Sequence, residues 1–291
     1  MDFVILDLEW NTAYSKTAHG FVNEIIEFGA VKTDSDLNEI ASFERLITPQ
    51  IGKKLSGRVK QLTHLTNEDL AGGGDFLSVA QAFESFAGDS VVMTWGTSDI
   101  HTLIENFRYF TGSERIPFLK AYCDLQEYCE RAIDRFDEGC QIGLGNFADI
   151  IGVTFSEEEQ HRAAADAYLS LKCLKKVFGG YPLEKCVLKA DCDEFYERML
   201  FKNHFLTDLS DPEIDRKQMK FDCERCGKPM RRVKKWRLRN KSFTADFCCK
   251  SCGKSFTGKV SFKKRFDGVV VNKRLAVKEA KQTENRQEQE S

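Results

Sequence analysis

Residues 1–10 read Met-Asp-Phe-Val-Ile-Leu-Asp-Leu-Glu-Trp, an apolar run that ends in two carboxylates, Asp7 and Glu9, one residue apart. Phe3 to Leu6 are bulky or β-branched and do not alternate with polar residues, the pattern of a central strand covered on both faces. Residues two apart on a strand share a face, so Asp7 and Glu9 point together from its carboxyl end. Two anions side by side repel unless a cation lies between them, and hard oxygen donors suit Mg²⁺ or Mn²⁺ better than Zn²⁺. Taken alone, the pair also reads as a solvated strand end, since 30% of the chain is charged.

Moving outward, Trp10 to Gly20 reads as a polar loop, Phe21 to Lys32 as a second strand and Leu37 to Thr48 as its partner. Asp34, Ser35 and Asp36 supply the turn between them, and Pro49 ends the third strand, giving an antiparallel meander. Helical spacing follows in Gly57 to Leu65 and Phe76 to Ala87, with Gly72, Gly73 and Gly74 between. Ser90 to Trp95 is a short buried-type strand, and Ser98 is placed to cap a helix reaching Phe110. A fifth strand at Phe118 to Tyr122 and helices over Asp124 to Arg135, Leu144 to Ile151 and Arg162 to Phe178 complete an α/β single-sheet domain.

Further acidic groups fall at positions that bear on the first pair. Asp99 lies just past the strand ending at Trp95, at the kind of carboxyl strand end where open α/β sheets place their sites. It also reads as a first-turn residue answering the helix dipole. In HRAAADAYLSL, Asp166 sits within a helical stretch whose packing side carries Ala167, Leu171 and Leu174, so its carboxylate needs a partner. His161 lies five residues before Asp166, just ahead of that helix, within reach of the same place; a lone His is as readily a surface residue.

In this order, Asp7 and Glu9 on the first strand, Asp99 after the fourth, and His161 with Asp166 opening a late helix resemble the DEDDh 3′–5′ exonucleases. LTHLT, Leu62 to Thr66, is similar to that family's LTGIT signature. WGTSDIHTL, Trp95 to Leu103, is similar to the subgroup that contains the KapD-like proteins and the histone-mRNA 3′ exonuclease. The resemblance covers roughly residues 1 to 180 and implies a ribonuclease H-like mixed five-stranded sheet flanked by helices. It also implies two Mg²⁺ or Mn²⁺ ions held by Asp7, Glu9, Asp99 and Asp166, with His161 as the base that deprotonates the attacking water, and release of nucleoside 5′-monophosphates. By the same resemblance Leu65 is a wedge between the last two bases. Trp10 is open to two readings, stacking on a base or packing beside the first strand. Trp10 and His64 depart from the family pattern, both where the 3′ end is held.

The 291 residues suffice for a full core and a second module; 42% are hydrophobic and 23 are Phe. No apolar run reaches membrane-spanning length and the first residues lack a basic signal region, so a cytoplasmic protein with no membrane partner is expected. The formal charge of −2 conceals a division: Arg216 to Arg274 hold 20 Lys and Arg against 4 Asp and Glu, whereas residues 1 to 215 hold 20 against 37. Such a basic block fits a polyanion partner, most simply nucleic acid, or a face docked on the acidic first domain.

Within that block CERCGK (Cys223 to Lys228) and CKSCGK (Cys249 to Lys254) repeat one C-x-x-C-G-K unit. Each resembles a zinc knuckle and the pair a zinc ribbon, with Cys223, Cys226, Cys249 and Cys252 around one structural Zn²⁺; the repeat selects Cys249 over Cys248. The remaining cysteines, scattered and part of an odd total of 11, do not suggest a disulfide framework. Cations interleaved with Trp236 and Phe243 fit phosphates and unpaired bases. The expected organisation is an exonuclease domain over 1–180, a helical connector over 181–220, a basic zinc-ribbon nucleic-acid-binding domain over 221–272 and a disordered tail over 273–291. Three functions fit: an enzyme trimming single-stranded or 3′-overhanging RNA, a DNA exonuclease of proofreading or repair type, and a nucleic-acid-binding protein whose first domain is a scaffold. RNA is favoured by the Trp95 to Leu103 resemblance.

Overall fold

The amino-terminal strand runs further than its hydropathy indicates. In the computed structural model, which describes residues 1–137, 140–155 and 162–277, β1 spans Phe3–Ser15 and pairs antiparallel with β2, Gly20–Thr33. The expected loop from Trp10 to Gly20 is therefore mostly strand. Asn11, Ala13 and Ser15 are buried while Thr12 and Tyr14 are exposed, a strict alternation whose inward side chains are small or polar and leave no apolar period to read. The register shifts between Glu9 and Trp10, a bulge that turns the strand just past the second carboxylate.

β3, Glu39–Leu46, completes the meander on β2. β4, Val91–Thr94, and β5, Ala121–Asp124, add in parallel on the other side of β1, and β6, Val187–Lys189, closes the edge antiparallel to β5. The mixed sheet thus has six strands in the order β3-β2-β1-β4-β5-β6 rather than the expected five. The sixth is three residues long, too short to leave a pattern, and lies in the stretch expected to be a helical connector.

Two cores cover the sheet, and β1 divides its side chains between them. Val4, Leu6 and Leu8 enter one core with α3 (Phe76–Ala87) and α4 (Ser98–Thr111). Phe3 and Ile5 enter the other, with α5 (Leu125–Ala132), α6 (Leu144–Ile151) and α7 (Ala163–Val177). Short helices α1 (Gly57–Thr63) and α2 (Asn67–Leu70) flank the meander, and α8 (Asp193–Leu200) adds Phe195 and Tyr196 to the first core. Ser98 is the first residue of α4 rather than its cap; Thr97 holds the cap position without a side-chain hydrogen bond. Asp124 caps α5 by accepting from the Glu127 N–H at 3.0 Å.

The chain divides into two units, Met1–Leu200 and Phe201–Ser291. The stretch 181–220 is accordingly shared: β6 and α8 belong to the first unit, whereas Leu206, Ile214 and Met219 join the core of the second. That second unit is an antiparallel sheet built on β10 (Ser242–Cys248) and β11 (Ser255–Arg265), with β12 (Gly268–Val277) along one edge. β7 (His204–Leu206) pairs with β11, while β8 (Arg231–Arg232) and β9 (Arg237–Arg239) pair with β10. Residues 273–277, expected in a disordered tail, form the end of β12; 278–291 lie outside the described residues. Among the described residues no helix is long and apolar enough to cross a membrane.

Candidate active site and cysteine centre

The period of two that sends Phe3 and Ile5 to the α7 face of the sheet sends Asp7 and Glu9 there as well. Asp166, in the first turn of α7, meets them: carboxylate oxygens of Asp7, Glu9 and Asp166 all lie within 4.8 Å of one another. Asp99 arrives from the start of α4. β1 pairs with β4 only as far as Ile5↔Met93, and beyond that point the Leu8 N–H donates to Asp99 Oδ1 at 3.0 Å. Asp7, Glu9, Asp99 and Asp166 then line one cavity of about 480 Å³, together with Trp10, Trp95 and the start of α6.

The electrostatics suit a cation here. Burial, then the charges of Asp99, Asp166, Glu9 and Glu27, hold the Asp7 carboxyl well above its usual range. Glu9 is pushed up to about 8 by burial and by Asp166, Glu27 and Asp99, with Arg162 opposing. Burial raises Asp99 to about 7, against the hydrogen bond from Leu8. Hard oxygens crowded until they resist ionisation fit a divalent ion of the Mg²⁺ or Mn²⁺ type, whose charge removes the repulsion.

Two supports of this cluster were not apparent in the sequence. Gly29 on β2 faces Asp7, and a Cβ built there would lie 2.0 Å from the Ala164 nitrogen, so only glycine lets α7 come close enough to deliver Asp166. Glu27, opposite Glu9 and fully buried, would be a fifth repelling charge, but the Arg162 guanidinium grips it through Nε at 3.0 Å and Nη2 at 2.7 Å. Arg162 Nη2 also reaches Glu44 at 3.0 Å and so fastens the entrance of α7 to β2 and β3. The signals were a lone Gly and a lone Glu within the apolar run IIEFGAV, Ile25 to Val31.

In the second unit the sulfurs of Cys223, Cys226, Cys249 and Cys252 all lie within 4.8 Å of one another, with Cys223 to Cys252 at 3.6 Å and Cys226 to Cys249 at 3.4 Å. Sulfurs on a tetrahedral Zn²⁺ at about 2.3 Å stand about 3.8 Å apart, so the donor set fits that ion. The two knuckles match: Gly227 and Gly253 donate to the carbonyls of Cys223 and Cys249 at 2.8 Å, with φ of +67° and +70°. The Cys252 backbone N–H, with those of neighbouring groups, pulls the Cys249 thiol down to about 6. Cys248 turns instead to the carbonyls of Cys249 and Gly253 and stands outside the cluster.

The family model for Exonuclease (RNase_T) matches residues 4–174. The chain belongs to this exonuclease family. The PolC-type DNA polymerase III of Staphylococcus saprophyticus is 28% identical over 179 residues, 60% of this chain and 11% of that protein, and that of Staphylococcus haemolyticus matches to the same extent. The exonuclease chain thus spans about a tenth of the length of these curated relatives. Among solved structures, the nuclease domain of 3′hExo, a DEDDh family member bound to rAMP, aligns with a TM-score of 0.52 at 18% identity, over 64% of this chain and 93% of that one. A 3′-exonuclease solved for 3′-end-specific recognition of a histone mRNA stem-loop aligns with a TM-score of 0.51 at 16% identity, over 64% and 83%. At these identities the likeness establishes the ribonuclease H-like fold.

The expected substrate contacts of the exonuclease fare unevenly. Trp10 lines the acidic cavity while also packing against the first core. Leu65 does not line that cavity; it is 4% exposed among Ile26, Leu55 and Leu70, so the wedge role is corrected to a core role. Phe243, 2% exposed and packed on Phe262, is likewise a core residue and not a stacking platform. Trp236 is half-buried against Phe247. His161 lies outside the described residues; its neighbour Arg162 is anchored to Glu27.

Proposed function

We propose that this exonuclease removes nucleotides one at a time from the 3′ end of single-stranded nucleic acid, with RNA preferred, and releases nucleoside 5′-monophosphates. The observation that carries the reading is the convergence of Asp7, Glu9 and Asp166, with Asp99 in the same cavity. Asp7, Glu9 and Asp166 would hold one Mg²⁺ or Mn²⁺ ion, and Asp7 with Asp99 a second. Ions bound there supply charge compensation at the phosphate and acidify water. His161 takes the proton from the attacking water, a task suited to a group that titrates near neutrality. Asp99 keeps its orientation through the Leu8 N–H, and Trp10 offers a face to the terminal base. The basic second unit, held by one structural Zn²⁺ on its four cysteines, retains the rest of the strand through its phosphates.

RNA is favoured by the WGTSDIHTL segment. DNA is the second reading, supported by the 28% identity to the PolC-type polymerases. Length-matched single-stranded RNA and DNA, 5′-labelled and incubated with Mg²⁺ or Mn²⁺, separate the two. Faster shortening of RNA by single nucleotides supports the first reading; faster shortening of DNA replaces it with the second, and internal cuts contradict both.

A further inference from the structure

The second unit contains a cavity of about 370 Å³, within the range of about 300–1,000 Å³ typical of small-ligand sites. Trp236, Met219 and Met230 supply its apolar wall. The indole is fixed in place, edge-on to Phe247 with ring centroids 5.6 Å apart at 65°. Met230 leaves the first cysteine knuckle with its N–H bonded to the Phe221 carbonyl at 2.9 Å, so the backbone of the knuckle helps set the wall. Arg216, Lys220 and Arg232 form the rim, and Arg216 Nη2 is steadied by the Leu209 carbonyl at 2.9 Å. None of the residues lining this cavity is acidic.

A slot with aromatic and thioether walls and a cationic mouth suits a flat aromatic group that carries anions on either side. A neighbouring hollow of about 240 Å³ is built differently. Lys234, Lys235, Arg237 and Arg239 line it with Asp246 and without an aromatic wall, which suits phosphate alone.

We propose that the Trp236 cavity is a binding site for one unpaired nucleobase of a single-stranded nucleic acid, its flanking phosphates held by Arg216, Lys220 and Arg232. This rests on the reading of the chain as a nucleic-acid enzyme, and names a second, base-dependent grip that uses none of the active-site carboxylates. The site selects unstacked bases over duplex, because only a base turned out of a stack can enter.

The test uses the full-length chain carrying Asp7→Ala, without added divalent ion, and fluorescence anisotropy with two probes of equal length: a single-stranded oligonucleotide and its abasic phosphodiester counterpart. The abasic probe should bind more weakly. Trp236→Ala should weaken binding of the base-bearing probe by about tenfold, the order expected for one lost stacking contact, and leave the abasic probe unchanged. Trp236→Phe should restore most of the loss, and Arg232→Ala should weaken both probes. Equal losses on both probes for Trp236→Ala, or none on either, overturn the proposal. Because Trp236 also packs on Phe247, zinc content is measured in each variant, and photocross-linking of a 5-bromouracil-bearing oligonucleotide to the Trp236 chain gives a readout free of substitution. Adducts at Trp236 support the site; adducts confined to other residues overturn it. Hydrolysis of a dinucleotide by the Asp7 chain is scored separately: failure there with base-dependent binding intact removes the nuclease reading alone.

Discussion

Gly29 on β2 stands directly across from Asp7 on β1, and the missing side chain of the one makes room for the helix that completes the site of the other. A Cβ at this position would meet the Ala163 and Ala164 backbone at 2.0–2.5 Å, contacts that no rotamer change relieves. Gly29→Ala is therefore expected to lift the start of α7 from the sheet and carry Asp166 away from Asp7 and Glu9. Overpacking of this kind costs about 1–3 kcal/mol. Thermal unfolding should register that loss, and Mn²⁺ affinity and hydrolysis should fall together. Unchanged metal affinity in a folded Gly29→Ala protein would show that α7 is positioned by something else.

Arg162 and Glu27 provide a second prediction. The pair is buried at Glu27, which is fully covered, and open at Arg162, whose side chain is 35% exposed. Removing one partner of a buried pair costs about 3–5 kcal/mol, and the exposure of Arg162 lowers the expectation for Arg162→Ala to about 2–3 kcal/mol. Much of that cost is the uncompensated Glu27 charge beside Glu9, so Glu27→Gln added to Arg162→Ala should recover a large part of it. Denaturant midpoints of the two single variants and the double variant decide. Strict additivity would mean that the two side chains are not coupled.

The raised carboxylates set the pH response. Glu9 rises from its ordinary 4.5 to about 8 and Asp99 from 3.8 to about 7, so over that window the folded chain holds protons that the unfolded chain has released. Their contribution is fully present below the unfolded values and is lost as pH climbs toward 8. Asp34, Asp69, Asp75 and Asp89 shift downward and act on the acid side of the window. Without added divalent ion, stability should decline across the window. Mg²⁺ or Asp7→Asn should flatten the decline. Denaturant titrations at several pH values check this, and identical slopes for the parent and Asp7→Asn proteins would contradict it.

For the cysteine centre, one Zn²⁺ per chain is expected. Cys226→Ser should release it and unfold the second unit, while Cys248→Ser should keep it, since the Cys248 sulfur faces the carbonyls of Cys249 and Gly253. Metal content by elemental analysis gives the answer directly. Loss of zinc in Cys248→Ser would move the ligand assignment by one residue.

The elements that were legible in the sequence are those whose burial shows in hydropathy. The unbroken run Phe3 to Leu6 gave the central strand, and helical spacing gave α3 and α6. The far half of β1 was hidden because its inward side chains are Asn11, Ala13 and Ser15. Residue type misled at Phe243, since a phenylalanine suits a base or a core equally well, whereas the wedge expected of Leu65 came from the family resemblance and not from its own surroundings. At Phe243 the alternation with Ala245 and Phe247 already marked an inward face. Residues that act by absence of bulk or by neutralising a neighbour, Gly29 and Arg162, had no motif to announce them; their roles follow from which strand and helix lie opposite.

The claim that Asp7, Glu9, Asp99 and Asp166 work as one divalent-ion site is tested most directly by 5′-labelled single-stranded RNA, with Mg²⁺ or Mn²⁺ as the only variable, in the parent protein and in Asp7→Ala and Asp166→Ala. Stepwise shortening that requires the ion and vanishes in both folded variants is the expected result. Undiminished shortening by either variant, purified free of other nucleases, would contradict it.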